Sequence, residues 1–351
     1  MYSFDSLIHM AVDRHSSDLH LSPGRVPSCR IDGAITGILP DKLTAQDTQD
    51  IAEQVLSEKQ RLTLEQNGEV DFAMFKNNVG RFRLNIFRQR HSLAIVARIL
   101  NAEIPTPKSL GIPDSVVEVS RKKRGLILVT GPTGVGKTTT IASLIDQINQ
   151  NYEKHIITLE DPIEYLHPHA KSIVNQREIG SDTQSFASGL FSALREDPDI
   201  IFIGEMRDLD TIATAITAAE TGHLVLSTLH TPSSSITVDR IIDVFPPHQQ
   251  QQIRTQLAEV LECVVSQQLL PRADGEGRVA AMEVMLADSA IRNCIREGKT
   301  YQIPSVILTH RTEGMQTMDT AIAQLYAERK ISREVAHSFI QDKEALKRAI
   351  Y

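Results

Sequence analysis

The stretch Gly125-Leu126-Ile127-Leu128-Val129-Thr130-Gly131-Pro132-Thr133-Gly134-Val135-Gly136-Lys137-Thr138-Thr139-Thr140 decides the fold. Leu126 to Val129 is a short apolar run and reads as a buried strand. Gly131 to Thr138 fits the pattern G-x-x-x-x-G-K-[ST], the signature of a phosphate loop. After it, Ile141, Leu144, Ile145 and Ile148 recur on one face of a helix. Strand, glycine-rich loop and helix in that order are the context such a loop requires. Gly131, Pro132, Thr133, Gly134, Val135, Gly136, Lys137, Thr138 and Thr139 then form the nucleotide-binding set. The glycines let backbone N–H groups turn inward around phosphate oxygens. The helix adds its positive N-terminal end. Lys137 supplies a charge to the β- and γ-phosphates, and Thr138 a hydroxyl to Mg²⁺. A bound nucleoside triphosphate follows.

C-terminal to this loop the pattern is alternating. Apolar strands are expected at His155–Leu159, Ile200–Ile203 and Leu224–Thr228, with helices between them. That pattern predicts an α/β domain with a mostly parallel sheet covered on both faces. Further on, Gln249 to Leu270 reads as one long helix, Arg278 to Leu286 as a strand, and Ser289 to Gly298 as a helix. Two more helices are expected near 316–329 and 332–340.

N-terminal to the loop, Pro105, Pro107 and Pro113 mark a linker over 104–113. The domain before it, residues 1–103, reads as a small α+β unit. Phe4, Leu7, Ile8 and Ala11 predict an opening helix. Strands are expected at 17–21, 29–31, 70–75, 79–89 and 93–99, with turns at Asp32-Gly33 and Asn77-Asn78. Thr44 and Asp47 form a capping box whose helix carries Ile51, Val55 and Leu62. In the strand 79–89, Phe82, Leu84 and Ile86 face one way, and Arg81, Arg83 and Asn85 the other.

Composition narrows the function classes. A length of 351 residues suits two domains. No apolar run reaches the eighteen or so residues of a membrane span, so direct insertion is not expected. A net charge of −7 and few aromatic residues argue against a nucleic-acid motor. Cys29, Cys263 and Cys294 lie far apart, which fits no zinc pattern and suits a reducing, cytoplasmic compartment.

Four groups can carry chemistry. Glu160, Asp161 and Glu164 follow the second core strand, where a carboxylate can hold Mg²⁺. Gly204-Glu205 ends the apolar strand Ile200–Ile203, so Glu205 is the candidate to polarise the attacking water. The usual Asp before it is Gly204 here, which leaves the metal to Thr138 and Glu160. His223 and His230 bracket the strand 224–229, with Thr228 and His230 at the end where a γ-phosphate would be sensed. Arg81, Arg83, Arg88 and Arg90 offer arginines that could act on a neighbouring subunit's nucleotide, in competition with Arg207 and Arg240. The helix over 290–297 shows a dense polar face of Arg292, Asn293, Arg296 and Glu297 opposite Ile291, Cys294 and Ile295.

With these residues in hand, the chain resembles the retraction ATPases of type IV pili, a branch of the wider secretion-ATPase superfamily. Ser17-Asp18-Leu19-His20-Leu21 resembles the family's opening motif, with Ser16 where Ala is usual. Gly80-Arg81-Phe82-Arg83 resembles its arginine strand. Thr158 to Tyr165 resembles its acidic box, Gly204 to Asp208 its atypical Walker B segment, and Gly222-His223 to Thr231 its histidine box. Ala290 to Lys299 resembles the signature of the retraction group, with Cys294 in place of Leu. The resemblance implies a PAS-like first domain, residues 1–103, and a RecA-like ATPase domain with a C-terminal helical subdomain, residues 114–351. It implies a homohexamer with ATP and Mg²⁺ between subunits and trans arginines from Arg81, Arg83 and Arg88. Its implied place is the cytoplasmic face of the inner membrane, against the pilus platform protein. Glu160, Glu164, Glu205 and His230 are the implied catalytic groups. A pilus assembly or secretion ATPase of the same superfamily, and a companion retraction ATPase, stay open as alternatives.

Overall fold

Alternating strands need cover on one face only, and strands apolar throughout need it on both. The computed structural model, which describes residues 3–31, 33–76, 79–100, 103–310 and 314–342, contains one sheet of each kind. The described residues group into two units: those up to 103 with 164–166, and those of 104–163 with the ones from 167 to 342. The expected turns at Asp32-Gly33 and Asn77-Asn78 fall, at Asp32, Asn77 and Asn78, outside the described residues.

The first unit runs α1 (Phe4–Asp13), β1 (Asp18–Leu21), β2 (Ser28–Ile31), β3 (Ala34–Gly37), α2 (Ala45–Val55), α3 (Glu58–Asn67), β4 (Glu69–Lys76), β5 (Gly80–Gln89) and β6 (Ser92–Leu100). Its six strands lie in the order β3-β2-β1-β6-β5-β4, antiparallel throughout. Phe82, Leu84 and Ile86 enter a core shared with Phe4, Leu7, Ile8 and Ile51. Thr44 and Asp47 do form the expected capping box. The helix they start ends at Val55, however. Ser57 and Gln60 build a second box that opens α3, on which Leu62 is exposed. Two competent N-caps thirteen residues apart outweigh the apolar spacing that suggests one helix. The edge strand β3 has no buried residue and carries little signal of its own.

The second unit runs α4 (Pro107–Leu110), α5 (Asp114–Val119), β7 (Gly125–Thr130), α6 (Lys137–Asn151), β8 (His155–Glu160), β9 (Ile173–Glu178), α7 (Phe186–Ala193), β10 (Ile200–Ile203), α8 (Leu209–Glu220), β11 (Leu224–Leu229), α9 (Ser234–Asp243), α10 (Pro247–Val260), β12 (Leu261–Pro271), β13 (Arg278–Leu286), α11 (Ser289–Arg296), α12 (Ile303–Thr309), α13 (Met318–Ala327) and α14 (Arg333–Phe339). Its seven strands lie in the order β13-β12-β7-β11-β10-β8-β9, with β13 antiparallel and the rest parallel. Leu126 and Leu128 of β7 enter one hydrophobic core, and Ile127 and Val129 the core on the opposite face. Each such side chain contributes on the order of 1.5–3 kcal/mol by leaving water.

Three expectations change here. The 104–113 stretch, expected as a linker, carries α4 and buries Ile112 in the core of this unit. The long helix expected over 249–270 stops at Val260, and the chain continues as β12 between β7 and β13. The C-terminal region also contains α12, between α11 and the two helices expected there.

Candidate nucleotide site

β7 delivers the phosphate loop to the C-terminal edge of the parallel sheet, and α6 starts at Lys137. Gly131 adopts φ +141°, and a Cβ there would lie 2.4 Å from the carbonyl oxygen of Gln267 on β12. Backbone meets backbone at that point, so a side chain is excluded twice over, by conformation and by space. Lys137 is buried, and its Nζ donates to the carbonyls of Gly131 (2.8 Å) and Pro132 (2.9 Å). These bonds hold the ammonium against the loop. Pro132, Thr133 and Gly134 are exposed at its tip, and Thr138 and Thr139 are half-buried in the first turn of α6.

The neighbouring parallel strands end beside this loop and bring their acidic residues with them. Glu160 at the end of β8 is buried; Thr158 Oγ1 (2.6 Å) and Gln176 Nε2 (3.0 Å) donate to its Oε1. Gln176 on β9 also accepts the His167 backbone N–H at 2.8 Å, so one amide spans the acidic loop and the carboxylate. Gly204 follows Ile203, which pairs with Leu159, and its N–H donates to the Leu159 carbonyl. A Cβ on Gly204 would lie 3.2 Å from that same carbonyl and 3.4 Å from the Phe186 ring. The site therefore has little room for the aspartate usual at this position, and Glu160 supplies the strand-end carboxylate one strand over.

Glu205 divides its carboxylate between a guanidinium and an imidazole. Arg207 Nε lies 2.7 Å from Oε1, and His230 Nε2 lies 3.3 Å from Oε2. The other ring nitrogen of His230 lies 3.5 Å from Lys137 Nζ. Lys137, His230 and Glu205, read separately from the sequence, thus stand in one row. Thr133, Arg207, His230 and Arg240 line a cavity of about 560 Å³ beside that row. A larger hollow of about 790 Å³, lined by residues of α9, α12 and α13, contains none of these groups.

Other expected residues lie elsewhere or are otherwise engaged. The Thr228 hydroxyl donates to the Gly204 carbonyl at 2.5 Å, which makes it a brace between β11 and β10 and not a phosphate sensor. His223 sits at the opposite end of β11, where its Nδ1 lies 2.9 Å from the Ala218 carbonyl near the end of α8. Glu164 is exposed and groups with the first unit, as do the β5 arginines. Arg83 forks onto Asp71 of β4 at 2.7–3.1 Å. Arg81 shares the face of Arg83, while Arg88 has the parity of Phe82 and Ile86 and is exposed at the strand's end. The polar face expected on α11 loses its first member. Arg292 donates to the carbonyls of Ala258 (2.5 Å) and Glu259 (2.6 Å) and pairs with Glu262 at 3.2 Å, closing the C-terminal end of α10.

Gln267 is the residue that sequence reasoning misses. Its Nε2 donates to the Val135 carbonyl at 2.6 Å, and its Oε1 accepts from Thr140 Oγ1 at 2.8 Å. Reading 249–270 as a helix hides its position beside the loop. The alternation of a strand from Leu261 would have exposed it.

A phosphate loop on an interior strand of a mostly parallel sheet, flanked by strand-end carboxylates, defines a RecA-like nucleotide-binding ATPase fold. The chain belongs to the type II/IV secretion system protein family, whose sequence profile matches residues 3–345. It is 46% identical to the type IV pilus retraction ATPase PilT of Pseudomonas aeruginosa over 330 residues, 94% of this chain and 96% of that protein. It is 45% identical to a twitching motility protein of Neisseria gonorrhoeae, over 91% of this chain and 86% of that one. Its fold superposes on a crystal structure of the pilus retraction motor PilT with bound ADP at a TM-score of 0.93 and 51% identity, covering 99% of this chain and 100% of that one.

Proposed function

We propose that this chain is an ATP-hydrolysing motor that powers type IV pilus retraction. The observation that carries the catalytic part is the row in which His230 lies between Lys137 and Glu205 at the phosphate loop. The likeness to retraction ATPases over nearly the whole length of both chains supports the biological part.

In this reading Lys137 and the loop N–H groups bind the β- and γ-phosphates. Glu205 orients and polarises the attacking water, and His230 links it to the phosphate end of the site. Hydroxyl and carboxylate oxygen suit Mg²⁺, which takes few protein ligands and completes its shell with water and phosphate. Thr138 and buried Glu160 would hold that ion, which neutralises phosphate charge when bound with the nucleotide. Glu164 has a supporting role in the same acidic box. Six copies form a ring, in which Arg81, Arg83 and Arg88 serve a neighbouring subunit's nucleotide; Arg83 would first have to leave Asp71. The ring works at the cytoplasmic face of the inner membrane on the pilus platform protein, with no nucleic acid and no zinc. Among the described residues no helix is long and apolar enough to cross a membrane.

Two measurements test this. Purified protein should hydrolyse ATP without stimulation by single-stranded DNA. Deletion of the gene should leave cells with excess, static pili. Loss of pili would favour an assembly motor, and DNA-stimulated turnover a nucleic-acid motor.

A further inference from the structure

A phosphate loop must present its N–H groups on one side, and the peptide unit decides how. Across a trans peptide the carbonyl and the following N–H point in opposite directions. Fixing a carbonyl on the outside of the loop therefore aims the next N–H to the inside. Two carbonyls of this loop are fixed in that way. Arg278 Nη1 of β13 donates to Gly134 O at 3.3 Å, and Gln267 Nε2 of β12 donates to Val135 O at 2.6 Å. The N–H groups that follow belong to Val135 and Gly136.

Gln267 makes the stronger of the two contacts. It is 3% exposed, so its amide works in a low-dielectric setting with few competing waters. Its second end is tied as well, through Thr140 Oγ1 at 2.8 Å. Thr140 lies one turn into α6. A single side chain thus connects the loop to the helix that begins beneath it. The Gln267 backbone carbonyl packs against Gly131, where the loop starts. Loop start, loop shoulder and helix are all referenced to one residue of β12.

We propose that Gln267 is a positioning residue for nucleotide binding: its side-chain amide holds the phosphate loop open in the phosphate-receiving shape. This rests on the reading of the loop as the nucleotide site. It adds that β12, some 130 residues downstream in sequence, sets the shape of that site. Phosphate contacts made by the loop persist from bound ATP to the transition state. Their loss is a loss of uniform binding, seen in KM and Kd more than in kcat.

The test uses the full chain. Gln267→Leu removes both bonds at similar volume. Thr140→Val removes one bond and leaves the Val135 contact. Loss of both hydrogen bonds should raise the Kd for ADP about tenfold or more, and loss of one about threefold. KM for ATP should rise by more than kcat falls. Gln267→Glu keeps the acceptor for Thr140 but lacks the donor to Val135, so it should not rescue binding. Lys137→Ala serves as the control for the site itself. If Lys137→Ala loses ADP binding while folded Gln267→Leu and Thr140→Val bind ADP as the parent does, the positioning role is overturned and the site stands. If all of them bind ADP as the parent does, the nucleotide site itself is misassigned. If Gln267→Leu does not fold, the Thr140→Val affinity decides alone.

Discussion

Glu205 has each carboxylate oxygen directed at a different side chain, Arg207 and His230. Glu205→Gln keeps the shape and most hydrogen bonds but cannot take a proton. It should bind ATP and hydrolyse it at least about a hundredfold more slowly, measured as single-turnover rate against nucleotide affinity. Lys137→Ala should abolish turnover by the purified chain, because Lys137 supplies the charge held against the loop carbonyls. His167 belongs to the same neighbourhood through Gln176 but affects stability. Burial pushes its imidazole down from 6.5 to about 4, with Asp146 opposing, and its Nδ1 finds no hydrogen-bond partner among the described residues. A base whose folded pKa is depressed favours the folded state above its unfolded pKa. That contribution is lost as pH falls from about 6.5 to about 4. The loss is on the order of 3 kcal/mol. His167→Phe should flatten urea-unfolding stability against pH over that window; an unchanged slope would place the acid sensitivity elsewhere.

At the scale of elements, α11 changes meaning between sequence and structure. Its apolar side, Ile291, Cys294 and Ile295, is buried as the spacing predicts. Its polar side is not uniform, because Arg292 caps α10 while Asn293, Arg296 and Glu297 stay exposed. Arg292→Glu should destabilise the fold by about 2–4 kcal/mol in thermal or urea unfolding, since it strips two carbonyls and faces Glu262 with a like charge. Arg296→Glu should change stability by less than about 0.5 kcal/mol. It should leave ATP turnover intact and stop retraction in cells, if this face transmits motion. Equal losses of both activities would remove that role. Spacing could identify α11, β7 and α6 because each has one dominant pattern. It misassigned β12 because Ile253, Leu257, Val260, Leu261, Val264 and Val265 continue at helical intervals. The strand prevails from Leu261 because pairing with both β7 and β13 buries every residue from Cys263 to Gln267. No local window contains those two partners. The row Lys137–His230–Glu205 was legible as three separate motifs, whereas Gln267 and Gln176 depend on pairings that only the folded sheet supplies.

For the whole molecule, the sheet order has a consequence during synthesis. β7 carries the phosphate loop, yet both of its neighbours, β11 and β12, come late in the chain. About a hundred residues separate Gly125 from Leu224, where β11 begins. At roughly 5–20 residues per second, Leu126 to Val129 wait about 5–20 seconds for a partner on either side. During that time an apolar strand buried on both faces in the finished protein has open edges, which is the setting for aggregation or chaperone capture. The first unit has no such wait, because β6, the last strand it needs, is complete by Leu100. Ribosome-held chains that end before Leu229 should therefore show a protease-resistant first unit and a protease-sensitive remainder. Chains extended past Leu286 should become resistant throughout and gain nucleotide binding in the same step. The motor half of this protein is thus committed to folding as one late event, so a ribosome pause between β7 and β11 would prolong its exposure more than one placed anywhere in the first hundred codons.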